Sequence, residues 1–447
     1  MILEHLSHQK VTLIPSSLQT AAKILSSLKQ LRNASLQSDF LRKTSGTMIA
    51  KVIIGSLGAV SSILLARLLG PEARGTFGIA LQLSTLGVQI GCLGIHSSNL
   101  FYSAKDSSKV PVIVGNSLIL SIVLGVVVIL LMSGFFYAFP EYRPLDGDIL
   151  TLALLWVPIG IAYLLLQNIL PGVQDIKGYN YSEIAFRIFG VLLFLIAIAL
   201  FKTYSIEVIY STTFIPPLLV TIWVVWKLRT YGKISVSFKE MRLSISYATR
   251  IYITMIFAFV MLRANLFMIK DMLGVKEAGY YSVVLNIADL FTLISASIGM
   301  ILYSKSSSMS HNKQRWNMTI KAAVLCTAIL LLAISVFYFN NEYVISLLFG
   351  NEFSAATIPS NYLLTGIFFI GVQTIFMQYL ASIGLPKITL YLWGLGAGLA
   401  IVLNYIFIPK FGLNGASIAS SITYGVFAIS VMICAFYYGK KDVIKTV

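Results

Sequence analysis

The sequence predicts an all-α, polytopic membrane protein of about twelve transmembrane helices, arranged as two six-helix lobes related by a parallel pseudo-two-fold repeat. Three observations predict it. The composition is too apolar for water, the chain holds a dozen long apolar runs, and one turn motif recurs at the same place in each half.

Residues of the AVILMFWYC set make up 57% of the 447-residue chain, Asp, Glu, Lys and Arg only 11%, and mean hydropathy is +0.85. A soluble domain carries about 25% charged residues, so this much apolar surface calls for lipid around it. The formal charge of +16 does not point to nucleic acid, because the basic residues sit in short gaps between apolar runs instead of on one solvated face. Cys92, Cys326 and Cys434 fall inside apolar runs, and His5, His8, His96 and His311 are scattered. Neither set has the spacing of a disulfide framework or a metal site, and no cofactor is expected.

A span needs about 20 mostly apolar residues. The runs lie at 46–69, 76–97, 110–136, 149–170, 182–201, 206–226, 246–269, 279–303, 318–339, 357–380, 388–408 and 412–437. They lack the alternation of an outer-membrane barrel, so helices are expected. The first run is long enough to span and reads as a retained helix, not a cleaved signal. Ahead of it, Leu18, Ala22, Leu25, Leu28 and Leu31 alternate with Lys and Ser. Residues 1–45 are therefore either an amphipathic helix on the cytoplasmic leaflet or an extension upstream of a start at Met48.

Lys and Arg set the orientation. With residues 1–45 cytoplasmic, the far side holds only Arg74, Arg143, Lys202, Lys270, Lys276 and Lys410, and most other basic residues fall inside. The positive-inside rule then places both termini in the cytoplasm of a bacterial inner membrane. The longest internal polar connection, 227–245, is rich in Lys and Arg. It separates an N-lobe, 46–226, from a C-lobe, 246–437, and leaves 438–447 as a cytoplasmic tail.

An internal repeat supports the division. Leu69-Gly70-Pro71-Glu72-Ala73-Arg74-Gly75 leads into a helix with Leu81 and Gln82; Leu273-Gly274-Val275-Lys276-Glu277-Ala278-Gly279 leads into one with Leu285 and Asn286. Six helices per half is an even number, so the two repeats share one orientation.

Ionisable residues at membrane depth are the informative class, because each costs several kcal/mol unless it faces a cavity or a partner. Lys51 shares a helical face with Gly55, Gly58 and Ser62; it either lines a cavity or snorkels to the cytoplasmic headgroups. Arg263 lies nearly two turns inside the seventh helix, and Asp289 in the eighth is the acidic residue set deepest in a span. The two form either a structural pair or an ion-coupling site. Arg250 and Arg187 lie nearer cytoplasmic helix ends, and Glu183 is spaced i,i+4 from Arg187 to neutralise it. Uncharged polar residues add a weaker layer: Gln82, Thr85 and Gln89, Gln167 and Asn168, and Gln373 and Gln378 are either sugar contacts or interhelical hydrogen-bond partners. With basic groups outnumbering acidic ones at depth, the interior suits a pyrophosphate, not an organic cation. No G-x-S-x-G, H-E-x-x-H or P-loop motif is present, so neither hydrolytic chemistry nor an ATP motor is expected.

The stretch Ala66–Gln82, A-R-L-L-G-P-E-A-R-G-T-F-G-I-A-L-Q, resembles the polysaccharide (O-antigen, Wzx-type) flippases of the multidrug/oligosaccharidyl-lipid/polysaccharide exporter superfamily. Ile408–Ala419 is similar to that family's P-x-x-G-x-x-G-A turn between the last two helices. The resemblance covers about 46–437. It implies two six-helix lobes around a central cavity, alternating access, and transport of undecaprenyl-pyrophosphate-linked repeat units to the periplasmic leaflet. It also implies basic residues in the cavity, Lys51 and Arg263 first, and a polysaccharide polymerase and chain-length proteins as partners. An ion-coupled drug exporter of the same superfamily is the alternative.

Overall fold

Glycines decide where the helices of this chain break. The computed structural model describes the backbone of residues 16–201, 205–307, 309 and 311–440, and the side chains from Ala50 onward apart from 201–204, 247–251, 308 and 310. The regular elements among the described residues are all helical. They are α1 (Ser16–Cys92), α2 (Ile95–Lys105), α3 (Val110–Ala138), α4 (Gly147–Gln167), α5 (Ile169–Gly172), α6 (Ile176–Phe201) and α7 (Ile206–Ser211). There follow α8 (Ile215–Leu228), α9 (Phe238–Leu273), α10 (Val275–Ser307), α11 (Asn312–Phe349), α12 (Thr357–Ser382) and α13 (Ile388–Lys440). Residues up to Ile49 form one compact unit and Ala50–Val447 another. The backbone of 16–49 is helical; residues 1–15 and 441–447, and with them parts of the extension and tail, lie outside the described residues.

Among the described residues, ten helical stretches are long and apolar enough to cross a membrane. Two of them, Ala50–Cys92 with 43 residues and Ile388–Lys440 with 53, would be about 65 and 80 Å long as straight helices, against a hydrocarbon core of about 30 Å. Each is broken once, at Gly70 (φ 71°, ψ 179°) and at Gly412 (φ 59°, ψ −137°). Two breaks turn ten stretches into twelve crossings, the number expected.

The helix ends differ from expectation where local caps extend them. The helix that holds the seventh crossing begins at Phe238, ahead of 246, because the Ser237 hydroxyl accepts from the Glu240 amide at 3.5 Å, an S-x-x-E cap. The fifth begins at Ile176, not 182, because Asp175 accepts the Gly178 amide at 3.0 Å. The second ends at Cys92, and positive φ at Leu93 and Gly94 turns the chain into the separate helix α2. The linker shortens to 229–237 and is tied down: Asn116 on α3 donates to the Ser237 carbonyl and accepts the Ser237 amide, both at 3.0 Å.

Helices α2–α8 pack chiefly among themselves and α9–α13 do the same, while α9 also lies against α2 and α3. The two lobes meet again where the repeated turns face each other. Gly70 and Gly274 both have positive φ, 71° and 108°, which lets the following helices start at Pro71 and Val275 with their first turns in register. A Cβ on Gly75 would run into the Val275 carbonyl oxygen and stand 2.9 Å from the Gly279 amide nitrogen. A Cβ on Gly279 would run into the Pro71 carbonyl oxygen and stand 3.1 Å from the Gly75 amide nitrogen. Position 71 maps onto 275 and 75 onto 279, so the contact is reciprocal, as a two-fold axis requires. It is a small-x-x-x-small crossing of two spanning helices. One turn further on, a Cβ on Gly78 would stand at ordinary van der Waals distance, 3.4 Å, from that of Ser282. Arg67 adds a second tie at this end, its Nε donating at 2.8 Å to the Leu348 carbonyl and its Nη2 donating to that of Leu347, the free acceptors at the end of α11.

Candidate functional site

Three adjoining cavities run from one lobe to the other beneath that crossing. The first, about 190 Å³, lies in the N-lobe and is lined by Ser61, Ser62, Arg74, Phe186, Arg187 and Asn286 among others. The second, about 450 Å³, lies between the lobes; it shares Gly58, Ser62, Arg187 and Asn286 with the first and adds Asp289. The third, about 430 Å³, lies in the C-lobe and shares Asp289. It adds Arg263, Thr292, Gln373, Gln378, Trp393 and Tyr424.

The first helix supplies one wall because Gly55, Gly58 and Ser62 recur at helical spacing. Gly55 lies under Leu293, and a Cβ on Gly58 would stand 3.9 Å from Arg187 Nη1. Lys51, one turn earlier, is half-buried and within electrostatic reach of Glu183. It is absent from the lining of these cavities.

Arg263 and Asp289 meet. Arg263 Nη2 donates to both carboxylate oxygens, at 2.9 and 3.0 Å, which ties α9 to α10 inside the C-lobe. Asp289 keeps 52% of its side-chain surface open to the cavity. Arg187 forms no ion pair among the described residues. Its expected i,i+4 partner Glu183 instead accepts from Tyr163 at 2.7 Å and Gln167 at 2.6 Å, and the Arg187 guanidinium stands 5.6 Å over the Phe186 ring. The side chain of Arg250 lies outside the described residues. Gln82 and Gln89 are half-buried outside the cavity lining, and Gln89 Oε1 has no hydrogen-bond partner among the described residues. The repeat mate of Gln82, Asn286, lines two cavities.

Arg74 is the residue that sequence reasoning passed over. Counted above only among the far-side basic residues, it is buried, 5% exposed, on the cavity wall, with Nη2 donating to Ser62 Oγ at 3.1 Å. The signal was present: Pro71 is suited to the first position of a helix, which puts Arg74 inside the first turn.

The lining residues of the three cavities thus include Arg74, Arg187 and Arg263 against one carboxylate, Asp289. Amides, hydroxyls and aromatic faces make up the rest of the polar wall. Helices, cavity and charge define a membrane-embedded transporter with a net-positive passage.

The family model for "Polysaccharide biosynthesis protein" matches residues 40–303, more than half of the chain, and the chain belongs to that family. Among curated proteins it is 25% identical over 278 residues to an uncharacterized membrane protein of Methanocaldococcus jannaschii, over 58% of this chain and 53% of that one. It is 25% identical over 164 residues to the "Putative O-antigen transporter" of Shigella flexneri, over 36% of this chain and 39% of that one. The matched segments thus span about half or less of these relatives' own lengths. Among solved structures, a multidrug resistance MATE family transporter of the MOP superfamily in its inward-facing conformation superposes with TM-score 0.69 at 16% identity, covering 88% of this chain and 98% of that one. A MOP superfamily transporter from Pyrococcus furiosus, with a binding pocket of reverse polarity, gives 0.66 at 15% identity over 89% and 94%. The fold is the MOP transporter fold.

Proposed function

We propose that this protein is a flippase that moves an undecaprenyl-pyrophosphate-linked oligosaccharide repeat unit from the cytoplasmic to the periplasmic leaflet, for O-antigen, capsule or exopolysaccharide synthesis. The observation that carries the reading is the charge of the passage. Three arginines against one carboxylate leave net positive charge away from bulk water, and such charge is costly without an anion to meet it. The Gln, Thr, Trp and Tyr side chains of the C-lobe cavity suit sugar hydroxyls and faces. Membership of the polysaccharide family and the name of the Shigella relative agree with the cargo.

In this reading both termini are cytoplasmic in the inner membrane, and the Gly75–Gly279 crossing is the periplasmic closure. The lipid tail stays in the bilayer between the lobes while pyrophosphate and sugars cross the passage, and rocking of the lobes exposes it alternately. Polymerase and chain-length proteins would take up the delivered unit. An ion-coupled drug exporter would use a carboxylate open to cations, and Asp289 is engaged by Arg263.

Deletion followed by lipid analysis tests the proposal. A flippase leaves the undecaprenyl-linked unit accumulated on the cytoplasmic leaflet. An unchanged lipid pool together with new drug sensitivity overturns the reading in favour of the exporter.

A further inference from the structure

A fourth cavity, about 670 Å³, lies apart from the passage, where α3 of one lobe faces α9 of the other. Its walls are apolar: Leu86 and Ile90 of α1 beyond the Gly70 break, Met132 and Phe135 of α3, Met268 of α9 and Tyr405 of α13. These stretches all belong to spanning helices, and the slot opens outward, since Leu131 and Tyr405 on its wall are 64% and 69% exposed. It therefore meets hydrocarbon and not water. The slot exists because the two helices are tied beyond each of its ends and not between them. Towards the linker, Asn116 bonds Ser237 and Lys109 meets Glu240 at 2.9 Å. At the end that holds the Gly75–Gly279 crossing, Lys270 Nζ donates to the Arg143 carbonyl at 3.1 Å. The volume equals about 22 waters, and a methylene group takes up nearly as much room as a water, so one long acyl chain fills it.

The charged groups of the slot sit at that same end. Lys270 and Asp271 are both on its lining, beside Tyr142, whose ring joins those of Phe135 and Phe139 in one exposed cluster. Aromatic side chains in such a cluster at a helix end mark the level of the lipid headgroups. Lys270 is half-buried; Asp271 is exposed and forms no ion pair among the described residues. Arg143 is already answered by Asp146 at 3.6 Å. Adjacent residues on a helix do not face each other, so the ammonium and the carboxylate stand side by side without neutralising each other. We propose that the slot binds a bilayer phospholipid with a zwitterionic head, phosphatidylethanolamine, its phosphate at Lys270, its ammonium at Asp271 and one acyl chain between the lobes. An anionic head would meet Asp271 unfavourably, and a quaternary ammonium has no N–H to donate to it. The lipid spans α3 and α9 where protein contact is lacking, and so braces the lobe arrangement described above. The inference does not rest on the flippase reading, since this lipid stays in its own leaflet.

Native mass spectrometry of the full-length protein in neutral detergent tests this, with phosphatidylethanolamine, phosphatidylcholine and phosphatidylglycerol of identical acyl chains added in turn. The wild type is expected to retain phosphatidylethanolamine above the other two. Asp271→Asn and Lys270→Gln should each weaken that retention by about two- to fivefold, and Asp271→Asn should raise retention of phosphatidylglycerol. Leu131→Trp, which sets an indole in the mouth of the slot, should lower retention of all three, and Lys276→Gln, outside the slot, should change none. Equal retention of the three lipids by the wild type, or unchanged phosphatidylethanolamine retention in either charge variant, overturns the headgroup assignment. Equal competition by undecaprenyl phosphate overturns the proposal in favour of a polyprenyl chain. Should the variants misfold, phosphatidylethanolamine with a diazirine on its acyl chain decides on the wild type. Photolabel must concentrate on peptides holding 128–136 and 267–272, and label spread evenly over the lipid-facing helices overturns the site. A bound phosphatidylethanolamine in a protein whose deletion leaves the glycolipid pool unchanged would sink the flippase reading and keep the site.

Discussion

Gly75 and Gly279 lie against each other's helix across the pseudo-two-fold axis, each with its Cα hydrogen aimed at a main-chain carbonyl of the opposite lobe. No side chain intervenes between these two glycines, so this contact is main chain against main chain. Its strength depends on two positions having no Cβ.

Gly75→Ala and Gly279→Ala should each open this closure. Overpacking of this kind costs about 1–3 kcal/mol, enough to change the ratio of two lobe arrangements by about five- to 150-fold. Gly78→Ala, whose Cβ would come no closer to a neighbour than 3.4 Å, at Ser282 Cβ, should have little effect. A cysteine placed at Ser62 would report the change as faster maleimide labelling from that side of the membrane in the first two variants and not in the third.

Labelling of this kind has a quiet background. The native cysteines Cys92, Cys326 and Cys434 are all free and buried, so the unmodified protein should stay unlabelled by a membrane-impermeant maleimide until it is denatured. Rapid labelling of the native protein, followed by mass spectrometry, would show that one of these packing sites opens.

The Arg263–Asp289 pair should behave as a structural tie as well as a cavity wall. Its carboxylate is half open, so Arg263→Ala should cost about 1–2 kcal/mol, less than the 3–5 of a fully dry pair. Thermal unfolding of Arg263→Ala, Asp289→Ala and the double variant measures the coupling as a cycle. Arg263→Glu sets two carboxylates face to face and should abolish transport while membrane insertion remains; if export persists, the passage does not depend on this arginine.

Inside the N-lobe, Ser84 bonds the Ala153 carbonyl at 2.7 Å and meets the Tyr210 hydroxyl, all three groups buried. Tyr210→Phe removes one partner of this junction between α1, α4 and α7, and should lower stability by about 1–2 kcal/mol. Detergent-solubilised melting curves would show it, with transport at permissive temperature preserved.

The sequence carried the twelve crossings and the repeat because both are written in local chemistry: apolar run length, and glycines at fixed places in a turn. It also pointed to Arg263 and Asp289 as neighbours, since each stands alone at depth on consecutive helices. What it could not carry was partner choice. Glu183 and Arg187 have ideal spacing for an ion pair, yet Tyr163 and Gln167, on a different helix, take the carboxylate. Arg74 was passed over for a related reason: a count of basic residues assigns a side of the membrane, whereas burial depends on which helix of the other lobe lies above.

The main-chain character of the crossing bears on how such proteins can be rebuilt. Gly75 and Gly279 meet carbonyl and amide groups, and Arg67 seizes carbonyls of Leu347 and Leu348. Peptide groups are the same in every sequence. A lobe grafted from another family member needs to match its new companion here in geometry alone, so hybrid transporters joined within the 229–237 linker should keep this closure, and would allow the cargo preference of each half to be assigned separately.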